Sequence, residues 1–406
     1  VNLQDESAGR CAVVVVGGGA AGLSLAYRLV ESGVATVTVV EAPDGPRRPP
    51  ERTWCYWEQG PGDFDESVHA SWPLLRIYGA DGGGVTVNPA PLRYRMLRST
   101  AFELLTHARV KRSPGSRIVR ATADEVRATA DGTEVRCRTP DGRRLTLCAR
   151  YVFDSRPLRM LPPARTQLLQ HFRGWFVRTG ADRFDPEVAD LMDFRVPQPR
   201  HGLAFGYVLP LAADQALVEY TQFSRSPLHT QQYDAALTAY VRDVLRLGAF
   251  TVESAEQGVI PMTDAHFQRR LGPGHFRIGT AGGATRAATG YTFSAVQRQS
   301  RAIAAALRDG HAVVPPPHGA RARAMDAVLL RALDAGRLDG PEFFTGLFRR
   351  IPPERLLRFL DGDTSLWEEW GIGLRTPVRP MLRTAVELPF LPRRPRPVPR
   401  MGESHR

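Results

Sequence analysis

Four consecutive β-branched residues, Val13 to Val16, run directly into Gly17-Gly18-Gly19-Ala20-Ala21-Gly22, and a helical pattern follows from Leu23 to Val30. Such a run suits a strand buried on both faces, the kind found in parallel sheets. Gly17, Gly19 and Gly22 have the G-x-G-x-x-G spacing, in which the first glycine permits a tight turn, the second a close backbone approach to a pyrophosphate, and the third close packing of helix on strand. Ala20 and Ala21 lie at the helix start, whose exposed N–H groups would hold the diphosphate. A second apolar run, Val37 to Val40, ends in Glu41. A carboxylate at the tip of a second strand is placed to accept both hydroxyls of an adenosine ribose. The glycine spacing does not separate FAD from NAD; its place near the start, with much other material after it, leans towards FAD.

A chain of 406 residues has room for two or three domains and a sizeable core. Helix-like and strand-like segments are mixed throughout, which argues for an α/β or α+β protein. No stretch approaches the roughly eighteen apolar residues of a membrane span, and Val1 to Ser7 is polar and acidic, without the apolar core of a signal peptide. The expectation is a cytoplasmic protein that touches the inner face of a membrane without crossing it. Cys11, Cys55, Cys137 and Cys148 form no C-x-x-C pair and no His/Cys spacing, so no metal site or redox dithiol is expected. The net charge is +12, but Lys111 is the only lysine. That bias looks like the mark of a GC-rich genome, so no nucleic-acid partner is expected; attraction to an anionic membrane surface stays open.

The proline-rich loop 43–50 leads to Arg52-Thr53-Trp54-Cys55-Tyr56-Trp57, whose aromatics could form the wall of an apolar pocket or part of an ordinary core. Amphipathic spacing predicts a helix over 94–108. Residues 117–155 read as a β-meander with turns at Asp131-Gly132 and Asp141-Gly142, inserted into the nucleotide-binding fold. Five segments are expected: 1–165, the first part of a nucleotide-binding domain; 166–257, a sheet domain for the substrate; 258–310, the second nucleotide-binding part; 311–390, helical; and 391–406, a disordered basic tail. Within 343–360, large apolar residues stand among arginines. This suits a membrane anchor, the rim of a lipid tunnel, or docking on the protein's own core.

Glu219 is the most informative acid of the middle region. In Leu217-Val218-Glu219-Tyr220-Thr221 it shares a strand face with Leu217 and Thr221. A carboxyl among apolar neighbours has a raised pKa and can serve as a general acid at neutral pH; an edge-strand glutamate in solvent would do nothing of the kind.

Several motifs in order resemble those of lycopene cyclases of the bacterial and plant β-cyclase type. They are Arg52-Thr53-Trp54, Leu217 to Thr221, Ile260-Pro261-Met262-Thr263, Gly279-Thr280-Ala281-Gly282-Gly283, Thr289-Gly290-Tyr291-Thr292-Phe293, and the stretch from Phe343-Phe344 to Phe359-Leu360. The resemblance implies a Rossmann-type FAD-binding fold of the hydroxylase-like flavoprotein type, with a sheet-based substrate domain and a helical C-terminal region. It implies reduced FAD, with NAD(P)H as electron source and no net oxidation, and lycopene as substrate. Glu219 matches the family's essential acid, for proton delivery or cation stabilisation. Gly279, Thr280, Gly282 and Gly283 join the first glycine group and Glu41 at the cofactor. Trp54, Trp57, Tyr220 and Tyr291 could stabilise a carbocation by cation–π attraction.

Two positions depart from the family pattern. Plant members carry a second acid where Tyr220 stands, which leaves the final base unidentified; an adjacent strand residue faces the other way and could not share the first acid's role. Many FAD hydroxylases have Gly-Asp where this chain has Gly279-Thr280, so Thr280 must use its hydroxyl or leave the contact to backbone. A hydroxylase or prenyl reductase of the same fold, or a non-catalytic carotenoid- or flavin-binding protein, is the competing expectation.

Overall fold

The computed structural model describes residues 11–45, 48–130 and 132–398. The polar N-terminal segment, Asp131 and residues 399–406 of the basic tail lie outside them.

The valine run forms β1 (Cys11–Val16), the glycines turn into α1 (Ala20–Glu31), and β2 (Ala35–Glu41) returns alongside β1 in parallel register, Val15 beside Val39. Strands β3 (Thr53–Gln59), β4 (Val68–Trp72), β5 (Leu74–Tyr78), β6 (Gly84–Val87) and β7 (Leu92–Arg98) precede α2 (Ser99–Arg112). The helix expected over 94–108 is therefore a strand up to Arg98. Leu92, Tyr94 and Met96 are buried while Arg93 is exposed, and this period of two overrides the helical spacing. Next come β8 (Arg117–Arg120), β9 (Thr122–Thr129), β10 (Gly132–Arg138), β11 (Arg144–Ala149) and β12 (Tyr151–Asp154). The middle three make an antiparallel sheet, while β8 and β12 join the sheet of β1.

Strands β13 (Met160–Ala164), β14 (Gln167–Thr179), β15 (Val188–Asp193), β16 (Leu203–Ala212) and β17 (Gln215–Ser224) lead to α3 (Thr230–Ala239), which continues as a π turn over Tyr240–Leu245. After β18 (Phe250–Thr263), β19 (Arg270–Gly272) and β20 (His275–Arg277), a 3-10 turn over Gly279–Gly282 precedes α4 (Phe293–Arg308). The helical remainder is α5 (Ala320–Asp334), α6 (Gly340–Arg350), α7 (Pro353–Asp361), α8 (Leu366–Gly373) and α9 (Val378–Glu387), closed by β21 (Arg394–Pro397).

One sheet has the order β19-β20-β12-β1-β2-β8, and a second, seven-stranded sheet has the order β18-β14-β17-β16-β15-β5-β6. The second sheet does not stop at the limits 166 and 257: β5 and β6 extend it from residues 74–87, and β18 runs on to Thr263. Nor is the start of the tail irregular, because β21 pairs antiparallel with β13. One face of the seven-stranded sheet buries Phe176, Phe205 and Leu217 against Trp57 and Tyr94 from the β3-β7-β4 sheet and against α6 and α7. The opposite face buries Trp175, Val218 and Tyr220 against α3. Phe343, Phe344, Leu356 and Leu357 belong to the first of these cores, so the 343–360 stretch docks on the protein itself. No described helix is long and apolar enough to cross a membrane.

Candidate active site

At the nucleotide end, Gly17 has φ +108°, and a Cβ there would lie 2.3 Å from Ser155 Oγ. A Cβ at Gly22 would lie 2.0 Å from the Gly17 carbonyl oxygen, so helix and turn meet at backbone contact. Gly19 is exposed at the N-cap of α1, with open space around it and no side chain capping the helix. The N–H groups beside Ala20, Ala21 and Gly22 are those a helix start leaves without internal partners.

Glu41 ends β2 almost fully buried, with Arg120 Nε at 3.1 Å, His107 Nε2 at 3.3 Å and Arg48 at 3.7 Å. Burial works against its charge, but His107, Arg120 and Arg48 outweigh burial and hold the carboxyl below its ordinary range. Among the described residues, neither oxygen accepts a hydrogen bond of good geometry. A Cβ on Gly18 would lie 2.4 Å from Glu41 Oε2, so only glycine leaves that oxygen uncovered. A buried carboxylate with unused acceptor capacity beside a bare backbone fits a ribose diol. Glu41, Glu103 and His107 also bring three donor atoms within 4.8 Å of one another. Arg48 contacts both carboxylates, so the cluster is an ion-pair network already supplied with positive charge.

The 279–283 turn sits against this end. Gly279 has φ +64°, and a Cβ on it would lie 2.6 Å from the Ala21 Cβ. Gly282 is buried, Gly283 is left-handed at φ +86°, and the exposed Thr280 hydroxyl accepts from Thr285 at 3.3 Å. From there the chain passes through Thr289-Gly290-Tyr291 to α4. A Cβ on Gly290 would lie 2.0 Å from Gln170 Oε1 on β14, so this loop is seated on the seven-stranded sheet.

On that sheet face the strand register sets Glu256, Gly174, Glu219 and Tyr207 in one row, across β18, β14, β17 and β16. Strand β3 lies over the row: Thr53 Oγ1 donates to Glu256 Oε2 at 2.8 Å, and the Cys55 thiol lies by Tyr207 and Tyr94. The Tyr94 and Tyr207 hydroxyls contact each other. Trp57 meets Tyr291 edge-on, with centroids 4.6 Å apart. Glu219 is 8% exposed and accepts from Thr221 Oγ1 at 2.5 Å. Burial, reinforced by the neighbouring Glu256 charge and only partly offset by Thr221, pushes its carboxyl up to about 8. Burial likewise pushes the Cys55 thiol up to about 12 and keeps the Tyr94, Tyr207 and Tyr291 phenols neutral. The result is a protonated acid buried among apolar and aromatic side chains. Trp57 Nε1, Gln170 Oε1 and Thr289 Oγ1 are buried there without a partner among the described residues.

Two expected pocket residues are elsewhere. Tyr220 faces the α3 side with Trp175 and Tyr233, because neighbours on a strand point to opposite faces. It cannot meet a cation formed beside Glu219. Trp54 alternates with Trp57 on β3 in the same way, and its ring stacks on Phe293 and meets Phe102 edge-on in the core of the parallel sheet. Conversely, sequence reasoning missed Glu256, Tyr94, Tyr207, Arg48, His107 and Arg120. Glu256 is four residues before Ile260-Pro261, and only a non-local strand register brings it opposite Glu219.

The fold is shared with flavoproteins of low sequence identity. A flavoprotein/dehydrogenase from Cytophaga hutchinsonii superposes with a TM-score of 0.62 at 12% identity, over 94% of this chain and 99% of its own. A geranylgeranyl bacteriochlorophyll reductase-like protein from Thermoplasma acidophilum gives 0.59 at 13% identity, over 93% and 99%. The flavin-dependent monooxygenase PieE, solved in complex with FAD and substrate, gives 0.55 at 14% identity, over 93% and 72%. No curated protein matches the sequence itself. The family model described as lycopene cyclase protein matches residues 12–386, nearly the whole chain, and the protein belongs to that family.

Proposed function

We propose that this protein closes the linear end groups of lycopene into β-ionone rings, giving β-carotene, with FAD bound and no net redox change. The observation that carries the proposal is Glu219, a carboxyl held protonated by burial on a face lined with aromatic rings. Glu219 gives its proton to the terminal double bond. The tertiary carbocation is attacked by the neighbouring double bond, the ring closes, and a proton leaves. The phenols of Tyr94 and Tyr207 and the ring faces of Trp57 and Tyr291 exclude water, and the ring faces attract the cation.

Gly17, Gly19, Ala20, Ala21, Gly22 and Glu41 would hold the adenosine diphosphate half of FAD, and Gly279, Thr280, Gly282 and Gly283 its ribityl side. Bound there in reduced form, kept so by NAD(P)H, the flavin would supply negative potential for a developing cation.

A lipid-borne substrate calls for a membrane-facing surface, and α8 and α9 suit that role in place of 343–360. Trp367, Trp370, Leu374, Val378, Leu382, Val386 and Phe390 recur every three or four residues, and all are exposed. The exposed Arg375, Arg379 and Arg383 flank them, a pattern suited to an anionic lipid surface.

The test is anaerobic incubation with liposomal lycopene and reduced FAD. An isomeric product of unchanged mass with a β-ring spectrum is expected. A gain of two hydrogens, or of one oxygen once air is admitted, would make the protein a reductase or hydroxylase instead.

A further inference from the structure

A cation made by protonation must surrender a proton, so the pocket needs an acceptor as well as a donor. Glu219 and Glu256 face each other from β17 and β18 across Gly174 of β14, in register with both. Two strand spacings separate their backbones by about 9.5 Å, and the residue between them has no side chain. A Cβ on Gly174 would lie 2.8 Å from Leu217 Cδ1 and 3.5 Å from the Glu219 Cβ, so any larger residue would press into the notch between the carboxyls.

Their surroundings differ. Glu219 has only the Thr221 hydroxyl. Burial raises the Glu256 carboxyl too, but it is partly offset by the hydrogen bond from Thr53 and by the charge of Arg98, whose guanidinium pairs with Glu51 and lies 4.2 Å over the Phe176 ring on the same sheet face. Glu256 is half-buried, and the strand before it, 251–255, is exposed. Paired acids in unlike settings divide into proton donor and proton acceptor.

Building on the cyclase activity proposed above, we propose that Glu256 is the second acid–base group of the site: its carboxylate takes the proton lost at ring closure and returns it across Gly174 to Glu219. In the first step the Glu219 O–H bond breaks and a C–H bond forms at the substrate terminus. In the last, a ring C–H bond breaks, its electron pair becomes the ring double bond, and the proton joins Glu256. Transfer from Glu256 to Glu219 restores both groups, so no co-reactant is consumed.

The test is Glu256→Gln in the full chain with reduced FAD and liposomal lycopene, with flavin absorbance and thermal melting as controls for folding. Turnover is expected to fall at least tenfold. The remaining product should shift to rings with a displaced double bond or to adducts that gain one water, because the cation then loses another proton or is trapped. Glu256→Asp should recover part of the β-ring product, which a purely structural role does not require. Wild-type product at a rate within twofold of wild type would overturn the proposal. If the glutamine variant does not fold, Thr53→Val replaces it. A several-fold slower rate with shifted products is then expected, and an unchanged rate and product overturn the proposal. No cyclised product from the wild type would sink the cyclase activity itself, and Glu256's role with it.

Discussion

Glu219 is costly to the fold and useful to the chemistry for the same reason. Burial raises its carboxyl from 4.5 to about 8. Between those values the unfolded chain ionises this group while the folded chain keeps it protonated. Its contribution to stability therefore declines as pH rises from about 4.5 to about 8 and is flat outside that window. Glu219→Gln is expected to retain flavin, lose roughly 10²–10⁴-fold in cyclisation, the usual worth of a general acid, and melt at a higher temperature than wild type at pH 9. Parallel melting and turnover assays check both signs; a variant that keeps its turnover would show that another group delivers the proton. In the wild type, turnover should fall as pH rises through about 8, because ionised Glu219 has no proton to give.

At the scale of elements, the 279–283 turn depends on Gly279. With φ +64° and the Ala21 Cβ already 2.6 Å from where a methyl would stand, Gly279→Ala should cost about 1–3 kcal/mol. It should also weaken flavin binding at least tenfold by lifting the turn from α1. Flavin titration and thermal melting test this, and unchanged affinity would detach the turn from the cofactor site. This turn, the βαβ unit and Glu219 are legible in the sequence, because glycine spacing, β-branched runs and alternation are local signals. Three features are not. Tyr94 to Arg98 carries a helix-like spacing on a strand, Trp54 and Tyr220 suit a pocket by residue type while strand parity turns them away from it, and Glu256 depends on a pairing between β14 and β18 that no local pattern encodes. Strand β21 is hidden by composition: arginine and proline suggest disorder, yet Arg394–Pro397 covers the edge of β13. Deleting 391–406 should lower the melting temperature by a few degrees, whereas an inert deletion would make β21 dispensable.

At the scale of the whole molecule, the apolar stripe of α8 and α9 lies outside the core that absorbs α6 and α7. Replacing Trp367 and Trp370 together by alanine should weaken binding to anionic vesicles at least fivefold while leaving the melting temperature nearly unchanged, since both side chains are exposed. Raising the salt concentration should weaken the wild type as well, through screening of Arg375, Arg379 and Arg383. Vesicle sedimentation measures both effects, and wild-type binding by the double variant would move the contact elsewhere.

Residues 279–293 touch α1 at one end, where Gly279 meets Ala21, and the seven-stranded sheet at the other, where Gly290 meets Gln170. A short tether fixed at two points transmits strain in either direction. Occupancy of the aromatic face beside Glu219 should therefore change the grip on the nucleotide, and occupancy of the nucleotide cleft should change the hold on a carotenoid by the same factor, because such coupling is reciprocal.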